Sequence, residues 1–237
     1  MKSLRTAGIL MITGAMGVLV PYTILTITFS YPDILREDAG VILHEFHKAG
    51  PGLIFIWLAF ALLGLPLLVA YKLTGQQLEN KIHYMGWTTT IGIISIVVQL
   101  IGLLRWVFVV PVLANEYHAT HDPVVQSSLK SIFRVVHQYG GVLLGEHIGQ
   151  LFTITWTIMT SLALKKSKLI PQWISHFGIA ASVIYFIAQA ELLATVIPGF
   201  PVWDMAGFTG STVWLLWLII IGLYLIRKTG FKKHESV

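Results

Sequence analysis

Cysteine is absent from this 237-residue chain, which excludes a disulfide framework and any thiolate metal ligand. Charge is scarce too: Asp, Glu, Lys and Arg make up 11% of the residues, against roughly 25% in soluble domains. No P-loop, Rossmann glycine pattern or Ser-His-Asp spacing occurs in the context such motifs require. No composition shift marks a second domain, and the lack of an internal repeat argues against an inverted-repeat transporter. What fills the chain instead is apolar, with 55% hydrophobic residues and a mean hydropathy of +0.75. These are the marks of a polytopic membrane protein.

About 20 apolar residues cross a bilayer core. Six segments qualify: 6–30, 51–71, 87–113, 141–164, 173–197 and 206–226. The expected fold is all-α, a single transmembrane domain over 1–237 built as a six-helix bundle, with interfacial helices on the outer side. The first span follows Lys2 and Arg5 like a signal peptide. Its length, about 24 residues, and its lack of a small-residue cleavage site predict that it is retained. Eleven Lys and Arg fall on the side of the termini and four on the other, so the positive-inside rule places both termini in the cytoplasm. The net charge of +5 is then a topology signal with some attraction to lipid headgroups, and nucleic-acid binding gains nothing from it. Seven of the eleven acids lie on the outer side.

Two outer connections are long enough to carry structure. Residues 31–36 lead into Val41–His47, whose mixed polarity suits an interfacial helix ended by Gly50-Pro51. In the second, Asp122 is placed to cap a helix and Pro123 to occupy its first position. Val125, Leu129, Ile132, Val136 and Tyr139 then recur at helical spacing, up to Gly140-Gly141. Trp87, Trp173 and Trp203 sit near span ends as interfacial anchors, and Pro21 and Pro66 are expected to kink their spans.

Arg105, Glu146, His147 and Glu191 are ionisable groups inside spans, where a charge costs roughly 2.5–3.5 kcal/mol on insertion scales. At 1.5 Å per residue, Arg105, Glu146 and Glu191 lie roughly 12, 8 and 9 Å below the outer ends of their spans. They share the outer half. Arg105 can pair with Glu146 or with Glu191, which leaves one carboxylate to be protonated, to meet His147 or to bind a cation. Gln150 shares a helical face with either Glu146 or His147. Gln99 and Gln189 are expected to hydrogen-bond between helices. Gly141, Gly145 and Gly149 form overlapping GxxxG units, a flat strip against which another helix, a protein partner or a second copy can pack.

Histidines concentrate on the outer side as His44, His47, His118, His121, His137 and His147. His44 with His47, and His118 with His121, have i,i+3 spacing, a pattern that suits zinc, iron or copper if the segments are helical. A haem clamped between one of these and His147 is also conceivable. His44-Glu45-Phe46-His47 is one residue short of the metalloprotease motif. No cofactor beyond such a metal ion or haem is suggested.

Four stretches carry a family resemblance: Tyr31–Arg36 (YPDILR), Gly102–Ala114 (GLLRWVFVVPVLA), His137–Gln150 (HQYGGVLLGEHIGQ) and Val213–Ile219 (VWLLWLI). In order and over most of the chain they resemble the bacterial membrane family known as domain of unknown function 4386. The resemblance implies a six-span protein of the bacterial plasma membrane and draws attention to Arg105, Glu146 and His147. It implies no activity, and its pattern does not obviously include His44 and His47. Three functions compete. The first is an outward-facing intramembrane polar pocket for a small-molecule ligand or cofactor, with Arg105 on an anionic group, Glu146 and His147 exchanging protons, and Glu191 completing the charge balance. The others are an intramembrane metal or haem enzyme and a non-catalytic subunit of a membrane complex.

Overall fold

The computed structural model describes residues 2–234 and the side chains of residues 3–228. The described residues are helical apart from turns and short connections. Among the described residues eleven α-helices run in order: α1 (Lys2–Phe29), α2 (Ala39–Ala49), α3 (Pro51–Leu62), α4 (Pro66–Leu78), α5 (Met85–Phe108), α6 (Val110–Ala119), α7 (Pro123–Val136), α8 (Gly149–Lys166), α9 (Gln172–Ile187), α10 (Gln189–Ala194) and α11 (Ala206–His234). A 3₁₀ turn (Asp33–Arg36) precedes α2, and a π-helix (His137–Ile148) joins α7 to α8.

Five helical segments of the described residues are long and apolar enough to cross a membrane: Ser3–Phe29, Pro51–Leu78, Met85–Ala119, Gln172–Ala194 and Ala206–Lys228. They coincide with five of the six expected spans. The remaining one, 141–164, is helical throughout but is not among the five. The expected interruption at Gly140-Gly141 does not occur, because the chain widens into the π-helix there instead of breaking.

Proline sets the internal breaks. Pro66 has no N–H to give to an α3 carbonyl, so α3 stops at Leu62 and Pro66 opens α4. Pro111 likewise cannot donate to Val107, and the helix is interrupted at Val109 before α6 resumes. α1, by contrast, runs through Pro21. Helices α7 and α2 begin on aspartate caps. Asp122 Oδ1 accepts from Val124 N at 2.8 Å, with Pro123 following as expected. Asp38 Oδ1 accepts from Gly40 N at 2.9 Å, while its Oδ2 accepts from Arg134 Nη2 at 3.1 Å. Gly50, at φ 72°, ends α2 in a backbone region that favours glycine.

The chain forms two compact units, one from Met1–Met16, Gly64–Val97 and His147–Val237, the other from Gly17–Leu63 and Val98–Glu146. In the first, Tyr71 stacks on Trp156 at 3.6 Å and Trp156 meets Trp217 edge-on at 6.0 Å. The indole N–H groups find partners: Trp217 donates to the Ile174 carbonyl and Trp214 to Thr157 Oγ1, each at 3.0 Å. Lipid tails are as apolar as leucine, so such packing and hydrogen bonds hold the helices together. The second unit is centred on Trp57 and Trp106, stacked 4.7 Å apart at 10°. Phe29, Phe46 and Phe133 surround them, and Ile42, Leu43 and Leu129 are among the aliphatic residues of the same cluster. Trp87, Trp173 and Trp203 are 75%, 58% and 47% exposed, as span-end anchors would be.

Candidate functional site

The second unit carries a charged centre built on the π-helix. An α-helix turns about 100° per residue, so His137 and Glu146, nine residues apart, would face opposite sides. The i→i+5 bonding of a π-helix widens the turn to about 4.4 residues, and nine residues then amount to about two full turns. His137 and Glu146 come onto one side. π-Helical segments are uncommon and recur at functional sites.

Arg105, near the end of α5, reaches this side of the π-helix and is only 7% exposed. Its Nη1 donates to the carbonyl of Gly102 in its own helix. Its Nη2 lies 3.5 Å from His137 Nδ1, and its Nε has no hydrogen-bond partner among the described residues. The guanidinium carbon sits 5.1 Å from the centre of the Trp106 ring. Glycine makes room for it: a Cβ on Gly141 would lie 2.6 Å from Arg105 Cζ, and one on Gly140 would lie 3.6 Å from Cδ. Helix α5 and the π-helix also approach closely at Gly102, where a Cβ would come within 2.8 Å of Gly145 Cα and of the Gly140 carbonyl oxygen. Gly141 and Gly145 of the expected glycine strip are therefore used inside this unit.

Glu146 does not form the ion pair expected with Arg105. It pairs with Arg36 of the 3₁₀ turn, Nη2 to Oε2 at 3.1 Å, with side chains 31% and 21% exposed. Among the described residues no carboxylate lies within ion-pair distance of Arg105, although the charge of Glu146 bears on it from farther away. His137 is buried against Phe133, the rings stacked 5.4 Å apart. Burial first, then the positive charges of Arg105 and Arg36, push its pKa down to about 3. The Leu35 backbone opposes this, without a hydrogen bond of good geometry to Nε2.

His147 and Gln150 belong to the first unit, where Gln189 at the start of α10 links them. Gln189 Oε1 accepts from His147 Nδ1 and Gln189 Nε2 donates to Gln150 Oε1, both at 2.7 Å. This orientation leaves His147 Nε2 as the acceptor nitrogen. Glu191 lies in α10 beside α11, with Oε2 3.6 Å from where a Gly207 Cβ would be. Of the two histidine pairs expected on the outer side, one shares a helix and the other does not. His44 and His47 share α2, but His118 lies in the last turn of α6 while His121 lies beyond it, so that pair does not share a helix. His47 instead stacks on His118 at 4.0 Å and bonds through Nδ1 to Asn115 Oδ1 at 3.0 Å. Among the described residues no three His, Asp or Glu side chains are grouped to hold a metal ion.

Arg36, one of the four cations expected on the outer side, is a partner of Glu146 that charge patterning does not single out. Its presence in the YPDILR stretch was the available signal. His137, expected only as a metal ligand, has a guanidinium as its α5 neighbour. A shallow depression on α7, lined by Pro123, Val124, Ser127, Ser128 and Ser131, includes none of these residues.

No curated protein and no solved structure matches the chain. A family model described as a domain of unknown function, DUF4386, matches residues 6–222, a stretch that includes Arg36, Arg105, His137, Glu146, His147 and Glu191. With nearly its whole length matched, this membrane-type helical chain belongs to the DUF4386 family.

Proposed function

We propose that the protein is a multi-pass protein of the bacterial plasma membrane that binds a small ligand through an anionic group at Arg105. The observation that carries this reading is the state of that side chain: a buried guanidinium with an unpartnered Nε and no carboxylate within ion-pair distance among the described residues. A buried cation without its counter-ion is strongly unfavourable, and an anion supplied from outside removes that cost. Glu146 is already engaged by Arg36, so it frames the site and leaves Arg105 to the ligand. In this reading segment 141–164 crosses the bilayer as a sixth span, both termini are cytoplasmic, and the α2, α6 and α7 region lies at the outer interface. The site then opens outward. The site is confined to the second unit, with Arg105 at its centre and His137 and the Arg36–Glu146 pair around it; His147, held by Gln189, and Glu191 belong to the first.

The test is thermal unfolding of the purified protein in detergent, titrated with small carboxylates and with inorganic phosphate. At a ligand concentration of 100 Kd, binding stabilises by about 2.7 kcal/mol, a shift of a few degrees for a chain of this length. An anion should raise the midpoint of the wild type and leave Arg105→Met unchanged. Equal shifts in both proteins would sink the proposal.

A further inference from the structure

Arginine carries five N–H donors in a fixed planar fork, and those of Arg105 are unevenly used. Nη1 is taken by the Gly102 carbonyl, Nη2 has only the long 3.5 Å contact with His137 Nδ1, and Nε has nothing among the described residues. Nε and Nη2 form the side edge of the guanidinium, whose two parallel N–H bonds match the two oxygens of one planar acid group. The edge is held in position before any ligand arrives, by the Nη1 bond and by the Gly140-Gly141 backbone against which the guanidinium lies. Among the described residues no acceptor reaches Nε. Arg105 can only donate, so His137 Nδ1 must accept from it and the imidazole proton sits on Nε2; the Trp106 ring and glycine backbone lie beside the guanidinium, and Glu146, Tyr31 and Arg36 act on it only electrostatically.

Charge narrows the ligand further. The unpaired group is a single cation in a poorly hydrated place, so one negative charge neutralises it, whereas a phosphate dianion would bring a second charge to be desolvated. A halide offers one contact point to a two-point edge, and a neutral carbonyl satisfies an N–H without balancing the charge. Building on the reading that Arg105 binds an anion, we infer that the ligand presents a single carboxylate, received side-on by Nε and Nη2 of Arg105. Such a carboxylate can arrive from the bilayer, as a fatty acid, or from water, as a short carboxylic acid.

The experiment compares octanoate, octyl phosphate and octanol, which share one alkyl chain, together with butyrate, by thermal unfolding of the full-length protein in detergent. Octanoate should stabilise the wild type at concentrations roughly 10-fold or more below octyl phosphate, and octanol should not stabilise it. Arg105→Lys keeps the charge but loses the fork, and should weaken octanoate binding by about 10-fold or more. Butyrate binding as tightly as octanoate points to a soluble ligand and octanoate alone to a lipid one; either supports the carboxylate. If octyl phosphate matches octanoate, the carboxylate assignment fails while anion binding stands. If octanol matches octanoate, or no compound binds, both fail. Should Arg105→Lys not fold, the series on the wild type decides.

Discussion

A guanidinium anchored to its own helix, as Arg105 is at Gly102, depends on the room its neighbours leave. Gly141→Ala should displace it, because the added Cβ would lie 2.6 Å from Cζ against glycine backbone. The expected outcome is loss of carboxylate binding at a stability cost of about 1–3 kcal/mol, measured by ligand titration beside denaturant unfolding. The Arg36–Glu146 pair, partly exposed, should show a coupling of about 1–2 kcal/mol in a double-mutant cycle, between surface and buried values. His137 gives a pH dependence with a definite sign. Its pKa is held near 3 in the folded protein, below the ordinary 6.5, so under acid the unfolded chain takes up a proton that the folded one refuses. Stability should therefore fall as pH drops from 6.5 toward 3, and His137→Gln should flatten that slope by up to one proton. The sequence singled out Arg105 and Glu146 by their cost at membrane depth. It could not assign their partners, since Arg36 lies 110 residues from Glu146 and His137 lies 32 residues from Arg105, and pairing at that separation follows from packing alone.

At the scale of elements, the π-helix decides which side chains face one another. Deleting one residue between Gly140 and Gly145 should let the segment relax toward α geometry and swing Glu146 about 80° away from its present direction relative to His137. Helix content by circular dichroism should stay unchanged while the Arg36–Glu146 coupling disappears; persistence of the coupling would show that the wide turn is not what aligns the pair. Asp122→Ala should cost about 1 kcal/mol through the lost cap of α7. That helix start was legible because capping is local: Asp122, Pro123 and the following apolar positions suffice. The π-helix was not. Apolar periodicity assumes 3.6 residues per turn, and the glycines from Gly140 to Gly145, which looked like a stop followed by a packing strip, permit a wider turn held from outside by α5.

For the whole molecule, composition and length revealed the class, and five of the expected spans appear as helices able to cross a bilayer. The segment at 141–164 was chosen by the same criterion, but Glu146, His147 and Gln150 dilute its hydropathy and its helix begins in α7. Reporter fusions in the loops should place residues 72–84 and 165–171 with the termini, and residues 31–50 and 115–135 on the opposite face; a terminus on the far side would overturn the orientation. The meeting of Gly102 with Gly145 bears on how the protein answers random mutation. Glycine can only be replaced by something larger, so every substitution at these two positions adds volume where two backbones already touch. In a saturation screen they would score as sharply as any ligand contact. A loss-of-activity map of this family will therefore mark α5 and the π-helix whether or not the altered residues touch a ligand, and only abundance measured in parallel will separate spoiled chemistry from spoiled assembly.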